Sequence, residues 1–231
     1  MLRGLVSDIR DFIFPDVSIF SEEKIHIENS NRYILNSEFE NLEKVITEDL
    51  AKLKSRVNAD YVLSFYEFKA DNEVQKLIHS IKYAGMKNLG FYFGNYVGKS
   101  VKEYLDNNKI KIDFIIPVPL HNAKMRERGF NQSDYISSGI SAATGIPIEK
   151  NTVIRVKNTR SQTKLKLEAR LKNVKNAFTF EKNKQNFLRS KNIMLVDDII
   201  TTGSTVNEII SLLKKHNTGE ITVCSLAIAE D

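Results

Sequence analysis

Apolar residues mark out a series of elements by their spacing. Leu2, Leu5, Val6, Ile9 and Ile13 recur at helical intervals and Pro15 stops the run, which predicts a short amphipathic helix. Residues 16–37 are polar and irregular. Phe39, Leu42, Val45, Ile46, Leu50 and Leu53 predict a helix across 38–56, with a strand over 61–68 and a boundary near Val57. A helix over 74–85 ends at a glycine, with Lys82 in its last turn. The next carries Leu89, Phe93, Val97, Val101 and Leu105, and Gly90, Gly94 and Gly98 give it a smooth face for close packing. From residue 113 strands and helices alternate: strands at 113–119, 153–156, 177–180, 193–196 and 221–228, and helices after Asn131, over 167–174 and through Val206 to Leu213. This order predicts an α/β domain, a doubly wound and mostly parallel sheet with helices on both faces, spanning 57–231 behind a small N-terminal segment, 1–56.

Composition narrows the class. In 231 residues, 42% hydrophobic and 27% charged, a sizeable core is available and wholesale disorder is excluded. No apolar stretch approaches the ~18 residues of a membrane span, and acids at Asp8 and Asp11 break any signal-peptide core, so no membrane insertion and a cytoplasmic location are expected. Cys224 is the only cysteine, which excludes an intrachain disulfide and a multi-cysteine zinc site, and the four histidines lack ligand spacing. The net charge of +5 is concentrated: eight basic residues lie between Arg155 and Lys175 against Glu168 alone, while residues 1–50 hold eleven acids and five bases. That pattern suits one polyanionic ligand met at one place.

Candidate chemistry gathers where strands end. The run 193–196 meets Asp197 and Asp198, and the polar turn Thr201, Thr202, Gly203, Ser204, Thr205 opens a helix. Hydroxyls, a permissive glycine and helix N-terminal amides make a phosphate cradle. Carboxylates repel phosphate, so Asp197 and Asp198 are expected to face sugar hydroxyls or a divalent cation. Pro117, Val118, Pro119 and Leu120 form a rigid loop whose amides are expected to be open to ligand, and Arg126 and Arg128 follow as pyrophosphate contacts. The basic loop with Arg160 and Lys164 is expected to act as a lid. Residues 94–100, Gly-Asn-Tyr-Val-Gly-Lys-Ser, imitate a nucleotide-binding P-loop but are one residue short between the glycines and follow no strand, so Lys99 is expected in solvent.

Residues 194–205 resemble, position by position, the motif with which type I phosphoribosyltransferases bind phosphoribosyl pyrophosphate (PRPP). Within that group the chain is similar to the ComF family of competence-related proteins. The likeness rests on Ile81-Lys82-Tyr83 with Gly85, on Pro117 to Leu120 running into Arg126-Glu127-Arg128-Gly129-Phe130-Asn131-Gln132, on Gln162, Arg170, Asn173 and Val174, and on the PRPP motif. It covers residues 60–231 and extends weakly to Ile13-Phe14-Pro15. The resemblance implies transfer of 5-phosphoribosyl to a nitrogen acceptor with loss of pyrophosphate. Asp197, Asp198 and Arg160 would carry the catalytic work and Thr201 to Thr205 would hold the 5′-phosphate. Val118, Pro119, Leu120, Arg126, Arg128, Lys82 and Arg170 would meet pyrophosphate. Mg²⁺ would be held by PRPP and water near Asp197 and Asp198, with no direct protein cage. ComF proteins usually carry paired cysteines in an N-terminal zinc-binding segment; this chain has none there, so zinc is not carried over. An acceptor-selecting hood is expected from the first hundred residues.

Three readings stay open on the sequence: a transferase acting on an unidentified acceptor; a non-catalytic PRPP or nucleotide sensor that contacts the DNA-uptake machinery; and a single-stranded DNA binder using the basic loop. A homodimer is compatible with each.

Overall fold

The computed structural model describes residues 16–26, 31–83, 86–157, 175–182 and 184–229. The helix expected in the first fifteen residues, the helix over 167–174, and the basic loop with Arg160, Gln162, Lys164 and Arg170 lie outside them.

In chain order the elements are α1 (Asn36–Glu40), α2 (Thr47–Arg56), β1 (Tyr61–Phe68), α3 (Glu73–Tyr83), α4 (Lys87–Asn107), β2 (Phe114–Pro117), α5 (Asn122–Arg128), α6 (Gln132–Thr144), β3 (Val153–Arg155), β4 (Phe178–Phe180), β5 (Ile193–Ile200), α7 (Ser204–Lys214) and β6 (Ile221–Ala229). Four strands form a parallel sheet in the order β1-β6-β5-β2. β6 lies in its interior, and its first eight residues are buried, as a central strand covered on both faces requires. One face packs on α3, α4 and α6 through Leu77, Phe93, Ile136, Met194 and Val196, and the other on α2 and α7 through Leu53, Leu195, Ile209 and Val223.

The glycine face of α4 does what its spacing suggests. A Cβ on Gly94 would lie 2.2 Å from the Ile136 carbonyl oxygen, and one on Gly139 of α6 would lie 2.1 Å from that of Phe91. The two helices therefore touch backbone to backbone. Lys99 sits exposed in mid-helix, so the P-loop imitation is a packing motif.

Four expectations are corrected. The sheet begins at β1, not at residue 113, because β1 pairs with β6. The helix expected over 38–56 is broken: Val45 N–H donates to Phe65 O (2.9 Å) and Glu67 N–H to Glu43 O (2.9 Å), so this stretch covers the edge of β1, and only α1 and α2 remain helical. Residues 153–155 do not join the parallel sheet but pair antiparallel with β4 in a separate ribbon. Finally, β5 does not end at Val196. It continues through Asp197 and Asp198 to Ile200, held by β6 as far as Ile200↔Ile228, whereas its pairing with β2 stops at Pro117↔Val196. The acidic half of β5 is thus paired on one flank only, and the proline loop leaves on the other.

Candidate PRPP site

The acidic pair sits where the sheet opens. Asp198 is 2% exposed, and its Oδ2 lies 2.7 Å from Lys82 Nζ in the last turn of α3, an ionic contact lacking the directionality of a hydrogen bond. Asp198 Oδ1 accepts from the Ile199 amide (2.9 Å). Asp197 Oδ1 accepts from Ser133 Oγ (3.1 Å) at the start of α6 and from the Asp198 amide (2.9 Å). Burial and the neighbouring Asp198 charge push the Asp197 carboxyl up to about 7, with Lys82 opposing the rise. One edge of Asp197 nevertheless remains open to solvent.

The candidate phosphate loop is the turn 201–203 and the first residues of α7. Gly203 has φ +74°, a left-handed conformation natural to glycine, and a Cβ there would come within 3.1 Å of Val57 Cγ2. Thr202 and Ser204 share a hydroxyl hydrogen bond of 2.7 Å. From behind, Asn207 ties α7 to the end of α2: its Nδ2 donates to Arg56 O (2.7 Å) and its Oδ1 accepts from Asn58 N–H (2.8 Å). Thr201 is exposed, Thr202 and Thr205 half-buried. The first turn of a helix has amides without intrahelical acceptors, so α7 directs donors and its positive dipole end toward this turn.

On the other flank the proline loop is anchored rather than open. The Val118 amide donates to Val196 O (2.8 Å) and its carbonyl accepts from Asn131 Nδ2 (3.1 Å), so Val118 holds the loop in place while Pro119 and Leu120 remain half-buried at the surface. Asn131 also caps α6, accepting from the Ser133 amide (3.3 Å). The short helix α5, capped by His121 and ended by left-handed Gly129, was not expected from the sequence. It places Lys124 and Arg128 one turn apart, while Arg126 is exposed to solvent. Arg128 donates to Gln132 Oε1 and lies 5.0 Å from the Tyr83 ring centroid.

Lys124 and Arg155 are the residues the sequence reading passed over. Burial lowers the Lys124 pKa, and the charges of Arg155, Arg128 and Lys82 lower it further. Burial also lowers that of Arg155, against the pull of Asp197. Lys82 and Arg155 thus act on the acidic pair, while Lys124 and Arg128 lie within reach of their charge and Glu127 opposes them. The i, i+4 spacing of Lys124 and Arg128 was the available signal for the first; Arg155 had been counted only within the basic run.

Other chemistry is absent from this region. Cys224 is buried in β6, which pushes its thiol up to about 12 and keeps it protonated. Among the described residues no three His, Cys, Asp or Glu side chains cluster to hold a metal, and no helix is long and apolar enough to cross a membrane.

The phosphoribosyl transferase domain model matches residues 143–230. The chain is 42% identical over 131 residues to Competence protein F of Haemophilus influenzae, covering 56% of this chain and 57% of that protein. It is 30% identical over 151 residues to the DNA utilization protein YhgH of Salmonella typhimurium, covering 65% of each. The matched regions thus span less than two thirds of these relatives' lengths. A glutamine PRPP amidotransferase from B. subtilis, solved with ADP and GMP, is a loose structural neighbour at 19% identity and a TM-score of 0.42, over 64% of this chain and 30% of that one. The chain thus carries a phosphoribosyl transferase domain and, over part of its length, is similar to proteins named for competence and DNA utilization.

Proposed function

We propose that this protein binds PRPP with Mg²⁺ and transfers its phosphoribosyl group to a nitrogen acceptor, releasing pyrophosphate. The observation that supports this best is the arrangement around β5: a carboxylate pair, a hydroxyl-rich turn at a helix N-terminus on one side, and Lys82, Lys124, Arg128 and Arg155 toward the other. Asp197 and Asp198 suit a ribose diol, accepting its hydroxyl protons. The 201–205 turn suits the 5′-phosphate. The cations suit the leaving pyrophosphate, on which charge grows in the transition state. Asp198 meets the diol only if Lys82 moves off, so Lys82 passes from the carboxylate to the phosphate oxygens as ligand arrives. The two carboxylates can supply at most part of a Mg²⁺ shell; the ion would be held mainly by PRPP oxygens and water, and when bound it neutralises the pyrophosphate. Holding ribose and leaving group in register is the main work left to the protein.

The test is calorimetric titration of PRPP with Mg²⁺ into wild type and the Asp197→Ala/Asp198→Ala variant. Loss of affinity by about a hundredfold or more in a folded variant is expected, in line with removing charge-assisted hydrogen bonds. Equal affinity in both proteins rejects the site. A second reading, a PRPP sensor acting in DNA uptake or use, is favoured by the names of the relatives. It predicts PRPP binding without acceptor-dependent pyrophosphate release.

A further inference from the structure

The helical layer over the sheet carries a cavity that the PRPP reading does not use. It is a cleft of about 730 Å³, within the range of small-molecule sites. Residues 16–19 and 32–33 of the N-terminal segment form one wall, and the start of α4 with Tyr135 of α6 forms the other. Among the described residues no strand of the parallel sheet lines it. α6 stands between this cleft and the acidic pair. Ser133 turns its hydroxyl to Asp197, whereas Tyr135, two residues on, packs toward α4: a Cβ on Gly90 would lie 3.4 Å from Tyr135 Cβ and 3.5 Å from Ile81 Cγ2.

The polar groups of the cleft are of two kinds. Arg32 and Asp16 are committed to each other through Asp16 Oδ1 at 2.8 Å. Lys87 and Asn88 are exposed, and their side chains have no hydrogen-bond or ion-pair partner among the described residues; the same holds for the phenol hydroxyls of Tyr33 and Tyr135. Each of these groups sets a requirement. Lys87, the one cation here not balanced by an acid, calls for one anionic group. Asn88 both donates and accepts, which matches the edge of a heterocyclic base. The faces of Tyr33 and Tyr135, with Met86 beside them, suit a planar ring. The volume exceeds what a single ring fills, so there is room for a sugar between ring and anion.

We propose that this cleft binds a nucleoside 5′-monophosphate, at a site separate from the crevice around β5. The base lies against Tyr135 and Tyr33 with its edge on Asn88, the phosphate meets Lys87, and the second carboxylate oxygen of Asp16 accepts from a sugar hydroxyl. This inference does not rest on the PRPP reading.

The experiment titrates AMP, GMP, CMP and UMP, each beside its unphosphorylated nucleoside, into wild type and three variants: Asp197→Ala/Asp198→Ala, Lys87→Gln and Tyr135→Ala, with thermal unfolding of each as the check on folding. At least one mononucleotide is expected to bind wild type and the double aspartate variant with equal affinity, since the crevice is not the site. Its nucleoside and the Lys87→Gln variant should each bind about tenfold more weakly, the worth of one charge-assisted contact. Tyr135→Ala should lose about tenfold as well, the worth of stacking one base. Binding that disappears with Asp197 and Asp198 puts the nucleotide in the crevice and overturns the inference. So does affinity unchanged in Lys87→Gln, or no binding of any of the four at about 1 mM, where a small-molecule site would fill. Lys87 is exposed, so its variant decides the matter even where Tyr135→Ala fails to fold.

Discussion

The α4–α6 contact and the ligand end of β5 are both closely packed, but they are closed by different forces. Between α4 and α6, glycines let backbone meet backbone and no charge takes part. At the end of β5, charge is crowded: Lys82 is ion-paired to Asp198, and Lys124 feels the charges of Arg155, Arg128 and Lys82, with Glu127 opposing them. The first region is closed by backbone contact and supplies rigidity. The second crowds like charges together, and a bound polyanion would relieve that repulsion.

The contrast is sharpest for substitutions that change volume. Gly139→Leu must drive α4 from α6, because even a Cβ would meet Phe91 O at 2.1 Å and Asn95 N at 2.4 Å. A loss on the order of 4 kcal/mol in urea unfolding is expected, at the upper end for point changes. A loss below about 1 kcal/mol would mean that the helices are not in backbone contact.

Charge removal should matter at the other region. Lys82→Ala leaves the Asp198 carboxylate, 4% exposed in its side chain, without its ionic partner, at a cost of about 3 kcal/mol, the low end for a broken buried pair because Lys82 is itself 19% exposed. Lys82→Ala/Asp198→Asn should recover much of that stability without recovering PRPP affinity. Recovery of both would place Lys82 outside the ligand site.

A third test falls on Gly203, where a left-handed backbone shapes the candidate phosphate turn. Gly203→Ala must hold φ +74° and press on Val57, so about 1–2 kcal/mol of stability should be lost, together with part of the PRPP affinity. Unchanged affinity would separate the turn from the phosphate.

The pH dependence of Asp197 tests the same region by a different readout. Its pKa is raised on folding, so between about pH 4 and about 7 the folded protein keeps a proton that the unfolded chain has released. Without ligand, stability should therefore fall as pH rises through that window, and Asp197→Asn should remove this part of the slope. A slope of opposite sign, read from thermal unfolding at stepped pH, contradicts the burial of this carboxyl.

What could be read from the sequence was what is contiguous. Residues 194–205 carry carboxylates, turn and helix start in one stretch, so their strand-turn-helix order was legible even though β5 runs four residues further than its apolar run suggested. Aspartate is a poor strand former, and only the hydrogen bonds from β6 keep it in the strand. Asn131 as a cap and the glycine face of α4 were legible for the same local reason.

The sequence alone determined the α/β class, the order of most elements, and the contiguous stretch of carboxylates, hydroxyl-rich turn and helix start at 194–205. Tertiary structure decided the rest: the place of residues 43–46 beside β1 instead of in a helix, the separate ribbon of β3 and β4, the meeting of Lys124 and Arg155 with Lys82, and the stationing of α2 over Thr201. Spacing along the chain records which residues share a face of one element. It does not record which elements meet, because that depends on burying apolar surface and pairing backbone groups between segments far apart in sequence.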